Sequence, residues 1–171
     1  WIPQVVSAVN NLDKIQFIDS TTGWIRGDSK IYKTTDGGVT WREASDNSPF
    51  GLRNFFMKNA NEGLLVGTNG AIAQTTDGAI TWKSVGEIPQ RFYRDIHFIN
   101  DTIGFAVGNG VLAKTINGGK KWTSQVLDNN YYDLFFVNDT HGWIVGSKNP
   151  GFVNGILATT DGGQTWVQQP V

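Results

Sequence analysis

The sequence predicts an all-β fold, a β-propeller built of four-stranded antiparallel blades. Three observations carry that prediction. First, an octapeptide recurs four times: Thr34-Thr35-Asp36-Gly37-Gly38-Val39-Thr40-Trp41, then Thr75 to Trp82, Thr115 to Trp122 and Thr159 to Trp166. The closing tryptophans are 41, 40 and 44 residues apart, and a fixed period of this length marks a repeat architecture. Second, each repeat holds four short β-prone runs separated by polar turns, and four strands in about 40 residues make one blade. Third, 21 Gly, ten Phe, seven Trp and only 17% charged residues among 171 suit many short strands and tight turns. No stretch reads as a helix of useful length. A linear solenoid is the rival arrangement for repeats of this size, and the tight turns favour the propeller.

Taken in order, Trp1-Ile2-Pro3-Gln4-Val5-Val6 matches Trp166-Val167-Gln168-Gln169-Pro170-Val171. Both read as the outer strand that follows an octapeptide, so residues 1–6 are expected to form an orphan outer strand. Four full repeats follow within one domain, 1–171, over about 12–45, 52–86, 93–127 and 131–171. Each opens on an inner strand with alternating apolar residues: Leu12 to Phe17, Leu52 to Met57, Tyr93 to Phe98 and Tyr131 to Phe136. Such alternation describes a half-buried strand. A polar turn leads to a second strand that opens on Gly23, Gly63, Gly104 or Gly142. Third strands begin at Ile31, Ile72, Leu112 and Ile156. The octapeptide then turns the chain into a short fourth strand. The orphan strand leaves three arrangements open: a piece of a larger propeller, a ring completed by other copies, or a small ring closed alone. The first two are favoured.

The octapeptide has the chemistry of a hairpin turn. Asp or Asn before Gly, between β-prone runs, is a strong hairpin signal. The carboxylate accepts backbone N–H groups a few residues on, glycine supplies positive φ, and the tryptophan is expected to pack on the neighbouring repeat. Asp36, Gly38, Trp41, Asp77, Trp82, Asn117, Gly119, Trp122, Asp161, Gly163 and Trp166 are therefore read as structural. Ala79 and Asn117 depart from the pattern and are expected to loosen their turns.

These motifs resemble the Asp-box, or bacterial neuraminidase repeat, S/T-x-D-x-G-x-T-W. The flanking pattern, aromatic-x-D/N-x-x-x-G-W-x-x-G, is similar to the propeller of the photosystem II stability and assembly factors and of many secreted bacterial proteins. The resemblance covers essentially the whole chain. It implies a non-catalytic scaffold that binds a protein partner through an arginine-rich face, in a secreted, periplasmic or thylakoid-lumen-like location. It also implies that the Asp-boxes lie on the face opposite a sialidase active site.

Composition excludes some chemistry. A net charge of −1 offers no electrostatic footprint for nucleic acid. Absence of cysteine rules out disulfides and thiolate metal sites. No apolar run reaches the roughly 18 residues of a membrane span. The two histidines, His97 and His141, stand at unrelated repeat positions, so no metal site and no cofactor are expected. Nor does a phosphate-binding glycine loop open a helix. A sialidase would need an arginine triad and a tyrosine–glutamate pair. Five Arg and three Glu show neither arrangement, and no pair of carboxylates stands out for glycoside hydrolysis.

The loops opposite the octapeptides are where binding residues are expected. Arg91-Phe92-Tyr93-Arg94 opens the third inner strand, and Arg53 and Arg94 hold equivalent positions in adjacent repeats, with Asp13 and Tyr132 in the other two. Tyr131 and Tyr132 are expected to add aromatic surface. The longer loop between Gly146 and Gly155 carries Phe152. Partner contact is thus expected at Arg53, Arg91, Tyr93, Arg94, Tyr131, Tyr132 and Phe152, since Arg and Tyr often dominate interfaces. Self-association that completes a ring is a further expectation. A glycan-binding or sialidase-like module is the alternative reading, and a purely architectural segment is the third.

Overall fold

The structure is a computed structural model that describes residues 6, 11–28, 30–45, 51–85, 88–148 and 153–170. Fourteen strands are described, with a single 3-10 turn at Thr68–Gly70. The orphan strand at 1–6, apart from Val6, and the Phe152 position lie outside the described residues.

The first blade is β1 (Leu12–Phe17), β2 (Gly23–Gly27), β3 (Lys30–Thr34) and β4 (Arg42–Ser45), paired in chain order. The second is β5 (Leu52–Met57), β6 (Gly63–Gly67), β7 (Ile72–Thr75) and β8 (Lys83–Ser84). The remaining strands, β9 (Tyr93–Phe98), β10 (Gly104–Thr115), β11 (Trp122–Phe136), β12 (Gly142–Lys148), β13 (Val153–Thr159) and β14 (Val167–Gln168), form one six-stranded sheet. Strand β11 serves as both the outer strand of the third blade and the inner strand of the fourth. The sequence shows why. The connection 123–130 contains neither Gly nor Pro, whereas Pro49 and Gly51, or Gly86 and Pro89, punctuate the two earlier connections.

All four octapeptides fold as tight turns. At Asp36 the carboxylate accepts the Thr34 hydroxyl at 2.7 Å, the Thr40 amide at 2.9 Å and the Thr40 hydroxyl at 2.5 Å. Asp77 and Asp161 repeat these bonds with Thr75 and Thr81, and with Thr159 and Thr165. Neither departure opens its turn. Asn117 still accepts the Thr115 hydroxyl at 3.0 Å and the Lys121 amide at 2.8 Å, but Lys121 supplies no hydroxyl. Ala79 takes the positive φ of 79° that glycine takes in the other copies, a strain of about 1–2 kcal/mol. Its methyl is buried in the joint that holds Trp24. The octapeptide tryptophans meet rings of their own blades and also join the joints with the preceding blade, Trp82 in the cluster of Trp24 and Trp122 in that of Leu64. Trp41, Trp122 and Trp166 stand edge-on to Phe17, Phe98 and Phe136, with centroids 5.9, 6.1 and 5.8 Å apart. Trp166 also reaches Phe105 of the preceding blade at 6.2 Å.

Three apolar joints hold the blades together. Trp24 and Ile31 pack on Leu52, Phe55 and Met57. Leu64, Val66 and Ile72 pack on Tyr93, Ile96 and Phe98. Phe105, Val107 and Leu112 pack on Tyr131, Leu134 and Phe136. Each joint also carries a lysine over an aromatic ring. The amines of Lys33, Lys58 and Lys114 sit 4.9, 4.1 and 5.1 Å from the centroids of Trp24, Phe98 and Phe105. They donate to carbonyls of the next blade: Ala60 at 3.1 Å, Asp101 at 2.8 Å and Gly162 at 3.1 Å, respectively.

Candidate partner-binding face

Every inner strand carries one extra residue. The register jumps from Leu12–Gly27 to Lys14–Arg26, from Leu52–Gly67 to Asn54–Val66, from Tyr93–Gly108 to Asp95–Val107, and from Tyr131–Gly146 to Asp133–Val145. The unpaired residues are Asp13, Arg53, Arg94 and Tyr132. A bulge frees its side chain from the regular alternation and re-aims it. Glycine permits the close approach: a Cβ at Gly108 would overlap the Phe92 carbonyl, and one at Gly146 the Asn130 carbonyl. All four bulges sit where inner strands begin and second strands end, opposite the octapeptide turns.

This geometry brings together residues the sequence nominated. The guanidinium carbons of Arg53 and Arg94, from adjacent blades, lie 4.7 and 4.8 Å from the centroid of one ring, Phe92. Arg94 also lies 4.9 Å from the Tyr132 ring and donates to Asn109 Oδ1 at 3.0 Å. The Tyr132 hydroxyl shares a 2.5 Å hydrogen bond with Ser147. Phe92 is pinned from behind, because its carbonyl accepts Asn109 N–H at 2.9 Å and the Arg91 carbonyl accepts Gly70 N–H at 2.8 Å. Arg53 and Arg91 are exposed. Among the described residues the ion pairs are Lys14–Asp95, Arg26–Asp13 and Lys30–Glu43, so Arg53, Arg91 and Arg94 carry charge that none of these pairs neutralises. Arg26 is tied down by both oxygens of Asp13 and donates to the Leu52 carbonyl at 2.6 Å. Its pKa is lowered by burial and by the nearby Arg53 charge.

Tyr93 and Tyr131 correct the expectation of an aromatic surface. Both rings are buried in the blade joints. The bulge places position one of each inner strand on the same side as positions four and six, and that side faces the preceding blade. Burial pushes the Tyr93 phenol up to about 12 and raises that of Tyr131. Phe92 takes over the aromatic role, and the pairing of two arginines on it was signalled only by its place in Arg91-Phe92-Tyr93-Arg94.

Below the bulges, a groove of about 430 Å³ runs along the inner strands, lined by Lys14, Gln16, Phe56, Asp95, His97, Asp133 and Phe135 among others. Asp95, 2% exposed, is its hub. It accepts Asn54 Nδ2 at 2.6 Å and Leu134 N–H at 2.9 Å, and lies 3.6 Å from Lys14 Nζ, so this carboxylate of the third blade is touched by the other three. Burial and the neighbouring Asp133 carboxyl push Asp95 up to about 7, against the pull of Lys14. His97 packs between Phe56 and Phe135, with centroids 5.2 and 5.5 Å away. Burial, aided by Lys14, lowers it to about 4, so it is neutral at physiological pH. Among the described residues no cluster of His, Cys, Asp or Glu is arranged to hold a metal. No described helix is long and apolar enough to cross a membrane.

No protein-family model and no curated protein matches the chain. Solved structures do. A structure of YCF48 bound to D1 peptide matches over 98% of this chain and 55% of its own, at 19% identity and a TM-score of 0.69. YCF48 from Cyanidioschyzon merolae matches over 99% and 62%, at 15% identity and a TM-score of 0.65. An ancestral GH74 enzyme matches over 94% and 26%, at 13% identity and a TM-score of 0.71. The chain therefore spans little more than half the length of these YCF48 chains. At such identities the likeness shows the fold: blades of a β-propeller.

Proposed function

We propose that this chain binds a protein segment, without catalysis, through the bulge face. One observation carries the reading. Two arginines of adjacent blades stack on a single ring, and neither belongs to an ion pair among the described residues. Stacked guanidinium groups are held for planar recognition of carboxylates and carbonyls. The segment it fits is extended and carries carboxylates. The contact residues are Arg53, Arg91, Phe92, Arg94 and Tyr132, and the structural neighbour bound to a D1 peptide makes peptide capture the fitting class. Asp95, the buried carboxyl beside Asp133, favours binding over hydrolysis, because its oxygens are engaged by three other blades. A secreted or lumenal setting belongs to the same proposal.

The test uses a fluorescently labelled D1 peptide, a composition-matched scrambled peptide, and the variant Arg53→Glu with Arg94→Glu. The chain is expected to prefer the native order. The double reversal is expected to weaken binding at least tenfold, about 1.4 kcal/mol. Equal binding by the two proteins, or equal capture of both peptides, would remove this face from the function.

A further inference from the structure

The bulge residues share a second regularity. Fifteen residues after each of them stands the residue that follows Gly27, Gly67, Gly108 or Gly146: Asp28 after Asp13, Thr68 after Arg53, Asn109 after Arg94 and Ser147 after Tyr132. In the third blade the two members meet as the 3.0 Å hydrogen bond from Arg94 Nε to Asn109 Oδ1. In the fourth they meet as the 2.5 Å bond between the Tyr132 and Ser147 hydroxyls. The first blade is different. Both members are acids, and Arg26 comes from β2 to satisfy Asp13, with Nε and Nη2 on the two carboxylate oxygens and Nη1 on the Leu52 carbonyl.

The backbone fixes position 109. Its N–H donates to the Phe92 carbonyl at 2.9 Å, and Gly110 takes a φ of 66° immediately after, a conformation that suits glycine. The side-chain oxygen therefore meets Arg94 at a set place. An amide oxygen accepts the hydrogen bond and brings no charge. A carboxylate there would take the guanidinium as an ion pair, as Asp13 takes Arg26.

We propose that Asn109 is a positioning and specificity-determining residue of the bulge face: its neutral oxygen holds Arg94 against Phe92 and Tyr132 and leaves the cation for a carboxylate of the bound segment. This inference rests on the reading of that face as the binding surface. Specificity here comes from what the position omits, since an acid at 109 would compete with every acid of a partner. The chain carries its own comparison. Both blades whose bulge residue is arginine have a neutral residue fifteen places on, Thr68 or Asn109. Among the four repeats the acid, Asp28, stands in the blade whose bulge residue is itself an acid. Arg26 shows the alternative within the same molecule, an arginine wholly engaged by a carboxylate and a carbonyl.

Two variants test this. Asn109→Asp is isosteric and keeps the backbone bond to Phe92, so its effect is that of charge. Asn109→Thr copies the second blade and is the conservative control. Phenylglyoxal labelling of Arg94, read by peptide mass spectrometry, probes the guanidinium with no ligand present. Asn109→Asp is expected to slow that labelling about fivefold, and Asn109→Thr to change it less than about twofold. Binding of the labelled D1 peptide is expected to fall about tenfold in Asn109→Asp and to stay within about threefold in Asn109→Thr. Equal labelling of Arg94 in Asn109→Asp and the wild type overturns the proposal. So does a loss in Asn109→Thr as large as that in Asn109→Asp, which would mean a merely structural role. Should the wild type capture no D1 peptide, the proposed function fails, and the labelling rates alone decide this inference.

Discussion

Trp24 and Trp143 occupy the same position in the second strands of the first and fourth blades. Trp24 is 0% exposed, with its indole N–H on the Gly78 carbonyl at 3.1 Å and Lys33 over its ring. Trp143 is 39% exposed and has Ala158 where the lysine would be. Local sequence around the two is nearly the same: Gly-Trp-Ile-Arg-Gly and Gly-Trp-Ile-Val-Gly. The difference is that, among the described residues, a following blade covers Trp24 and none covers Trp143. In a repeat array, burial belongs to the joint between units and not to the unit, so identical residues carry unequal energies.

The largest effect that tests this contrast is truncation. Trp24→Ala is expected to cost about 3–5 kcal/mol by cavity formation, while Trp143→Ala in this 171-residue chain is expected to cost below about 1 kcal/mol. Urea unfolding of the two variants measures it, and equal losses would break the comparison. Next comes the clamp. Lys58 is partly buried and donates to Asp101 and Gly118 across its joint. Its loss in Lys58→Ala is expected to cost about 1–3 kcal/mol, detectable in the same transition.

The smallest effect is one of pH. The folded pKa of Asp95, near 7, lies above its unfolded value of 3.8. Its contribution is therefore full below about pH 4 and lost as pH rises through about 7. Asp36 and Asp77 run the other way. The Thr40 hydroxyl and amide, helped by Thr34, hold Asp36 near 2. Burial opposes the same shift at Asp77, but its bonds to Thr81 and Thr75 hold it near 2 as well. Their contribution is present above about pH 4 and lost as pH falls toward 2. Asp95→Asn is expected to flatten the pH 4–7 limb of thermal stability and leave the acid limb intact. An unchanged slope between pH 4 and 7 would show that the inter-blade hub does not titrate in that range.

The fold was legible because its strongest signal is local hydrogen-bond chemistry. Asp or Asn, Gly and Thr or Lys at fixed offsets close the same turn whatever surrounds them. Arg53 and Arg94 were legible because repeat alignment puts equivalent positions side by side. Tyr93 and Tyr131 were misplaced because a strict two-residue period was assumed. The apolar residues actually fall at positions one, four and six, as in Leu52, Phe55 and Met57. That three-then-two spacing is a bulge written in the sequence, and it puts position one in the core. Asp95 as a hub was not legible, since its partners Lys14, Asn54 and Leu134 come from three other repeats and meet only when the inner strands converge.

The repeated bulge has one more consequence. Its residue owes nothing to the hydrogen-bond ladder and little to the core, so Asp, Arg, Arg and Tyr can all stand there on the same scaffold. The four positions work as interchangeable type set in a fixed frame. Changing a letter rewrites what the face can recognise and leaves the press that holds it untouched.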